Sequence, residues 1–268
     1  KNHLLEREEV PADILSPEES VSILISFFNT KESYLKEALD SIINQQGYFW
    51  IEIVFINDGS DSLHSEMAKR LLREIEFNSR WISIKYIDNK VNKGLGYSLN
   101  KGTQVARNEI VFRMDTDDIM VPERISIQHD FMKKNPNVPL CGSQIKMFKG
   151  TISNVLGITN HPTIKLKDYL MNAKLRKNYW LMNHPTFCFR KSMIIRIGNY
   201  NPNIHSMYED LDLIVRVLKN YKIIYNLPMS LLYYRIHANQ LTFNKDPKWN
   251  AIRNQVINSN LFKTQHQN

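Results

Sequence analysis

The first half of the chain alternates apolar runs with amphipathic stretches. Val21-Ser22-Ile23-Leu24-Ile25-Ser26-Phe27 is a continuous run of the kind buried on both faces of a sheet. Tyr34, Leu35, Ala38, Leu39, Ile42 and Ile43 then recur at helical spacing up to Gln45. Ile51 to Ile56 reads as a second buried strand, Met67, Leu71 and Ile75 mark a second helix, and Ile82 to Ile87 reads as a third strand. A helix to about Arg107 follows Asn92-Lys93-Gly94, and Ile110-Val111-Phe112-Arg113-Met114 opens a fourth strand that ends at Asp115. This rhythm predicts βαβ units and a mostly parallel sheet flanked by helices, an α/β fold.

Beyond Asp118 the regular alternation stops, and a smaller mixed region is expected. Pro122 to Lys134 predicts a helix closed by Asn135-Pro136, and Leu140 to Phe148 predicts a strand. The pattern assigns no element between Thr151 and Asn178. Pro185 to Arg190 is expected to be extended, and Lys191 to Ile197 helical, stopped by Gly198. Tyr208-Glu209-Asp210 opens an amphipathic helix with Leu211, Ile214, Val215 and Leu218 on one face. Ile223-Ile224-Tyr225 and Leu231 to His237 read as two short strands. The expected division is an arm over 1–20, a domain over 21–240 whose halves are 21–118 and 119–240, and a helical tail over 241–268.

At 268 residues, with 43% hydrophobic and 23% charged, the chain can bury a substantial core. Its longest apolar run, around Val21 to Phe28, is too short to cross a bilayer. The chain opens at Lys1 rather than Met, so flanking sequence with an anchor or another domain stays open. Two cysteines, Cys141 and Cys188, make no disulfide framework and fit a reducing compartment, so a cytoplasmic location is expected. A net charge of +8 favours anionic partners, among them nucleotides and the surface of a membrane. That charge is diffuse and no nucleic-acid motif accompanies it, which argues against a nucleic-acid partner. The densest basic-aromatic patch, Lys174 to Trp180, reads as a solvated helix face.

The chemistry concentrates where apolar strands run out. Asp115 and Asp117 leave the fourth strand on one side, because side chains alternate across a strand. Two carboxylates that close repel unless a cation sits beside them, and Mg²⁺ or Mn²⁺ takes carboxylate oxygens together with substrate phosphates. Ligands in open α/β sheets bind at the carboxyl ends of strands. Together these point to a metal-bridged diphosphate site. The plainer reading is a turn and helix cap, which also accounts for Asp58-Gly59-Ser60-Asp61 and for Glu209-Asp210 taken singly.

The order of these clusters resembles the inverting glycosyltransferases of family 2, with the GT-A fold. The matching pieces are Val21 through Asn29, Asn57-Asp58-Gly59-Ser60-Asp61, Asn92-Lys93-Gly94, Asp115-Thr116-Asp117-Asp118, Glu209-Asp210 and Tyr234-Arg235-Ile236-His237. They span roughly Val21 to Thr242. The resemblance implies that Asp58 contacts a nucleotide base, most often uracil, and that Asp115 lies near ribose and diphosphate. It places Asn29, Asn92, Gly94 and Arg235 among the nucleotide-sugar contacts. Asp117 would bind the metal, Mn²⁺ or Mg²⁺, with His237 as a further ligand. Asp210 would be the catalytic base, with Glu209 beside it. The implied partners are a UDP-sugar donor and an acceptor on a glycan, a lipid-linked sugar or a protein.

The sequence also departs from that family. Asn57 stands where a second Asp is frequent, and Ser98-Leu99-Asn100-Lys101-Gly102 replaces an Ala-Arg-Asn-x-Gly run. No Gln-x-x-Arg-Trp run follows His237, which favours transfer of a single sugar over processive polymer synthesis. Two alternatives remain at this level. A sugar-phosphate nucleotidyltransferase would use a similar carboxylate pair but needs a Gly-rich loop after the first strand, where Asn29-Thr30-Lys31-Glu32 stands. A non-catalytic nucleotide- or nucleic-acid-binding protein would need neither Asp117 nor Asp210.

Overall fold

The computed structural model describes residues 19–174, 180–205 and 207–238. The expected arm before residue 19, the expected tail helix and most of the Lys174-to-Trp180 patch lie outside the described residues.

Four strands, β1 (Ser20–Phe27), β2 (Trp50–Asn57), β3 (Ile82–Asp88) and β4 (Ile110–Met114), pair in parallel in the order β3-β2-β1-β4. Helices α1 (Glu32–Ile43), α2 (Ser62–Asn78) and α3 (Leu95–Val105) connect them. Strand alternation decides which helix covers which face. Val21, Ile23, Ile25 and Phe27 pack with Leu35, Leu39 and Ile42 of α1 and with Leu71 and Ile75 of α2. Leu24, with Val54 and Ile56, packs instead with Leu99 of α3 on the opposite face. Both faces are therefore dry, as the unbroken apolar runs require.

The second half completes the same sheet. It contains β5 (Ile119–Met120), α4 (Arg124–Lys134), β6 (Leu140–Phe148), β7 (Val155–Ile158), β8 (Ile164–Lys165) and α5 (Leu166–Lys174). A 3₁₀ turn (His184–Thr186), β9 (Cys188–Arg190), α6 (Lys191–Arg196), α7 (Glu209–Tyr221) and β10 (Ile223–Arg235) follow. Strand β9 runs antiparallel between β4 and β6, and β10 lies parallel to β6 and antiparallel to β5. Among the described residues the order is β3-β2-β1-β4-β9-β6-β10-β5, with β7 on β6 and β8 on β10. Leu211, Leu213, Ile214 and Leu218 of α7 join the same cluster as Leu24 and Leu99, so α7 covers the α3 face.

Several expectations need correction. Ile223 to Arg235 is one strand rather than two, with its register on β6 shifting on either side of Ser230. Pro228 supplies no N–H, so the ladder is interrupted there while the strand continues. The helix expected from Pro122 begins at Arg124, because Val121 carbonyl closes a turn onto Arg124 N–H first. Helix α1 stops at Ile43, and Gln45 turns its side chain to Val121 carbonyl and Ile125 N–H. The segment Pro185 to Arg190 is a 3₁₀ turn before it is a strand, closed by Thr186 Oγ1 donating to Asn183 carbonyl. The unassigned stretch after Thr151 holds β7, β8 and α5, which are short and take their order from β6 and β10 rather than from an internal period.

Candidate active site

Strands β1, β2 and β4 are parallel, so the polar residues that follow them meet at one edge. Asn29, left-handed at φ 48°, accepts Asp61 N–H through Oδ1 at 3.0 Å and donates its own N–H to Ser60 Oγ. Thr30 and Thr116 hydroxyls meet at 2.6 Å and join the β1 loop to the β4 loop.

Asp58 organises a second loop. Its buried carboxylate accepts Asn89 Nδ2 at 2.9 Å, Lys93 N–H at 3.0 Å and Gly94 N–H at 2.8 Å. Two glycines permit that approach. A Cβ on Gly59 would stand 2.3 Å from Asn92 N, and one on Gly94 would stand 1.9 Å from His205 carbonyl. Both also have positive φ, where an L side chain is strained. Asn92 lies exposed on the loop so formed. The Ser98-to-Gly102 departure sits beneath it, with Asn89 Nδ2 donating to Ser98 Oγ and Lys101 Nζ donating to Asn89 Oδ1 at 3.0 Å. Asn57 turns away, donating to Ser65 Oγ and accepting Ser60 N–H.

The acidic cluster follows β4. Oxygens of Asp115, Asp117 and Asp118 lie within 4.8 Å of one another. Asp115 accepts both ends of the Arg113 guanidinium, at 2.7 and 2.5 Å. Asp117 Oδ2 meets His237 Nε2 at 2.8 Å. Asp118 is fully buried; Oδ1 accepts Arg235 N–H at 3.0 Å, and Oδ2 has no hydrogen-bond partner. Burial first, then the charges of Asp117 and Asp115, hold the Asp118 carboxyl well above the usual carboxylate range. The hard oxygens of this cluster, with Asp118 Oδ2 buried without a partner beside Asp117, fit a Mg²⁺- or Mn²⁺-sized cation.

Arg235 lies under this cluster. Its Nε donates to Asp117 carbonyl at 2.8 Å, Nη1 to Gly150 carbonyl at 3.3 Å and Nη2 to Glu37. Its guanidinium stacks over Tyr34 and Phe148, 4.3 and 4.6 Å from the ring centroids. Placed so, it holds the loop that carries Asp117 and Asp118.

Glu209 and Asp210 start α7 after two non-glycine residues in left-handed conformation, Met207 and Tyr208. Backbone strain of this kind persists only where surrounding contacts enforce it. Glu209 is buried, with Oε1 3.5 Å from His184 Nδ1 and Oε2 unpartnered. Burial pushes its carboxyl up to about 6, and Asp115 adds to the rise while Arg113 opposes it. His184 Nε2 meets Tyr200 hydroxyl at 3.1 Å, and burial beside Arg113 pulls the imidazole down to about 3. Asp210 is partly exposed, Oδ1 accepting Leu211 N–H at 2.7 Å. Burial, with the charge of Glu209, raises its carboxyl above the ordinary value, which strengthens it as a base.

The structure thus brings Asn29, Asp58, Asn92, Gly94, Asp115, Asp117, Glu209, Asp210, Arg235 and His237 to one edge of the sheet. Sequence reasoning missed Arg113, Asp118 as an individual site residue, and His184 with Tyr200. Arg113 carried a readable signal, a lone charge inside an apolar strand. His184 carried none.

A family model described as Glycosyl transferase family 2 matches residues 22–198. Amylovoran biosynthesis glycosyltransferase AmsE of Erwinia amylovora is 31% identical over 247 residues, 88% of this chain and 82% of that protein. The UDP-Gal:alpha-D-GlcNAc-diphosphoundecaprenol beta-1,3-galactosyltransferase of Escherichia coli is 30% identical over 201 residues, 74% of this chain and 68% of that one. Among solved structures, S. aureus TarS 1-349 in complex with UDP aligns at TM-score 0.60 and 18% identity, over 81% of this chain and 60% of TarS 1-349, a likeness of fold. Among the described residues no helix is long and apolar enough to cross a membrane.

Proposed function

The chain belongs to glycosyltransferase family 2, and from that premise we propose that it moves one hexose from a UDP-sugar to an acceptor hydroxyl, with inversion at the anomeric carbon. The observation that carries this reading is that Arg113, whose fork holds Asp115 of the acidic cluster, also acts on Glu209 and Asp210 at the start of α7, and that Asp115 itself acts on Glu209. The UDP-Gal in the name of the E. coli relative and the UDP bound to TarS support uridine diphosphate as the leaving group.

In this reading the 21–118 half binds the nucleotide and the 119–240 half receives the acceptor. Asp58 shapes the base pocket through the loop it holds, with Asn29, Asn92 and Gly94 on its walls. Asp115 takes the ribose and diphosphate side, and Arg235 keeps the Asp117-Asp118 loop in place. Asp117 and His237 would hold Mn²⁺ or Mg²⁺, with Asp118 Oδ2 behind them. When bound there, the cation supplies Lewis-acid neutralisation of the charge that builds on the departing diphosphate. Asp210 accepts the acceptor hydroxyl proton as that oxygen attacks from the face opposite the leaving group. Glu209, buried behind it, keeps its own proton at a higher pH and sets the field around the base.

The acceptor is a glycan, a lipid-linked sugar or a protein, and the diphosphoundecaprenol in the relative's name supports the second. The expected location is the cytoplasm, where the net charge of +8 is compatible with contact to an anionic membrane surface. A panel of nucleotide sugars with Mn²⁺, read as nucleoside diphosphate release, tests the proposal. Release from a UDP-sugar that a chelator abolishes is the expected result. Release undiminished by chelator would overturn the metal requirement, and no release from any nucleotide sugar, with or without candidate acceptors, would overturn the reading as a whole.

A further inference from the structure

Two arginines lie side by side in the buried centre, and their hydrogen bonds differ in kind. Arg124, fully buried, donates Nη2 to Arg113 carbonyl and Nε to Gln128, so it ties backbone and core together. Arg113, 2% exposed, directs both Nη1 and Nη2 at one carboxylate, that of Asp115, whose side chain is 30% exposed. A guanidinium fork in that geometry fixes the plane of the carboxylate as well as its charge. Arg113 Nε stays buried without a partner, so burying this charge is offset chiefly by Asp115. Each carboxylate oxygen keeps one lone pair free, and the exposed edge presents them to the site.

The chemical consequence concerns which ligand Asp115 can take. A carboxylate already neutralised by a guanidinium attracts a second cation weakly but still accepts a hydroxyl. Asp117 differs, because its partner is the partly exposed His237 rather than a fixed positive charge.

We propose that Arg113 is a positioning residue that commits Asp115 to a hydroxyl of the donor nucleotide and leaves the divalent cation to the Asp117 side of the cluster. This rests on the nucleotide-sugar reading above. The hydroxyl donors within that chemistry are those of the ribose.

The test is calorimetry with UDP, 2′-deoxy-UDP and 3′-deoxy-UDP in the presence of Mn²⁺, on wild type, Arg113→Gln and Arg113→Lys. Wild type should prefer UDP over at least one deoxy analogue by ~10- to 100-fold, the worth of a hydrogen bond to a charged acceptor. Arg113→Gln should reduce that ratio to within ~3-fold, and Arg113→Lys should not restore it, since an ammonium keeps the charge but loses the fork. A purely structural role would weaken all three nucleotides equally and leave the ratio intact, which would overturn the inference. If neither Arg113 variant folds, Asp115→Asn decides. Its Mn²⁺ affinity without nucleotide should stay within ~3-fold of wild type while the deoxy discrimination disappears, and a loss of metal affinity of ~10-fold or more would overturn the inference. Failure of wild type to bind UDP at all would instead strike the nucleotide-sugar reading.

Discussion

His237 Nε2 stands 2.8 Å from Asp117 Oδ2, although the two residues are 120 positions apart in the chain. Two ligand atoms at right angles on one Mn²⁺- or Mg²⁺-sized ion stand ~3 Å apart, so the pair already has the spacing of neighbouring ligands. Both side chains are about a quarter exposed, so a cation held there would have a path from solvent. Tyr34 packs against the His237 ring at 5.5 Å between centroids and fixes its tilt.

His237→Ala should therefore weaken the apparent Mn²⁺ affinity by ~10- to 100-fold, the range for perturbing a metal's supporting contacts. Melting temperature without metal should change little. Titrating Mn²⁺ against activity and against UDP binding separates the two outcomes. A large melting loss with normal metal dependence would make His237 structural.

Asp210→Asn should reduce transfer by ~10²- to 10⁴-fold, the usual worth of general-base catalysis. The amide keeps the size and an oxygen to accept Leu211 N–H, so folding should survive. UDP binding should survive too, since Asp58, Asp115 and Asp117 are untouched. One variant assayed for melting temperature, UDP affinity and transfer rate checks all three, and near-wild-type transfer would move the base elsewhere.

Glu209 ties stability to pH. Its carboxyl is raised from 4.5 to about 6, so the folded protein holds a proton there that the unfolded chain has released. That contribution is fully present below pH 4.5 and is lost as pH rises through about 6. Glu209→Gln removes the titration, and should be more stable than wild type at pH 7.5 by up to ~2 kcal/mol while matching it near pH 4. His184 has the opposite slope: burial lowers it from 6.5 to about 3, so its contribution is lost as pH falls through that window. Denaturant unfolding of both proteins from pH 4 to 7.5 checks whether their stabilities diverge as the pH rises through about 6.

Gly94→Ala should damage the fold at the nucleotide edge. It combines φ of 89° with a Cβ that would stand 1.9 Å from His205 carbonyl oxygen. The φ alone costs ~1–3 kcal/mol, and relieving the clash would pull Gly94 N–H from Asp58. A lowered melting temperature together with weakened UDP binding is expected. Unchanged UDP affinity would separate the loop from the nucleotide site.

Much of this arrangement is written in short-range pattern. The apolar runs at β1, β2 and β4 must be covered on both faces, and parallel strands must deliver their carboxyl ends to one edge. Asp58, Asp115 and Asp117 follow those ends directly, so the pattern puts them at the same end of the sheet once β2 and β4 pair in parallel on β1. What pattern could not decide is how the second half returns. Strand β9 is three residues long and takes its place from its pairing with β4 and β6, and β10 continues through Pro228 because β6 holds it on both sides. The pairings of Asp117 with His237, of Asp118 with Arg235 and of Glu209 with His184 depend on those strands and on the α7 start. Each joins residues tens of positions apart, where no local period acts. Even the charge of Arg113 was legible as an anomaly within an apolar strand, but its fork onto Asp115 needed the packed core that buries the guanidinium.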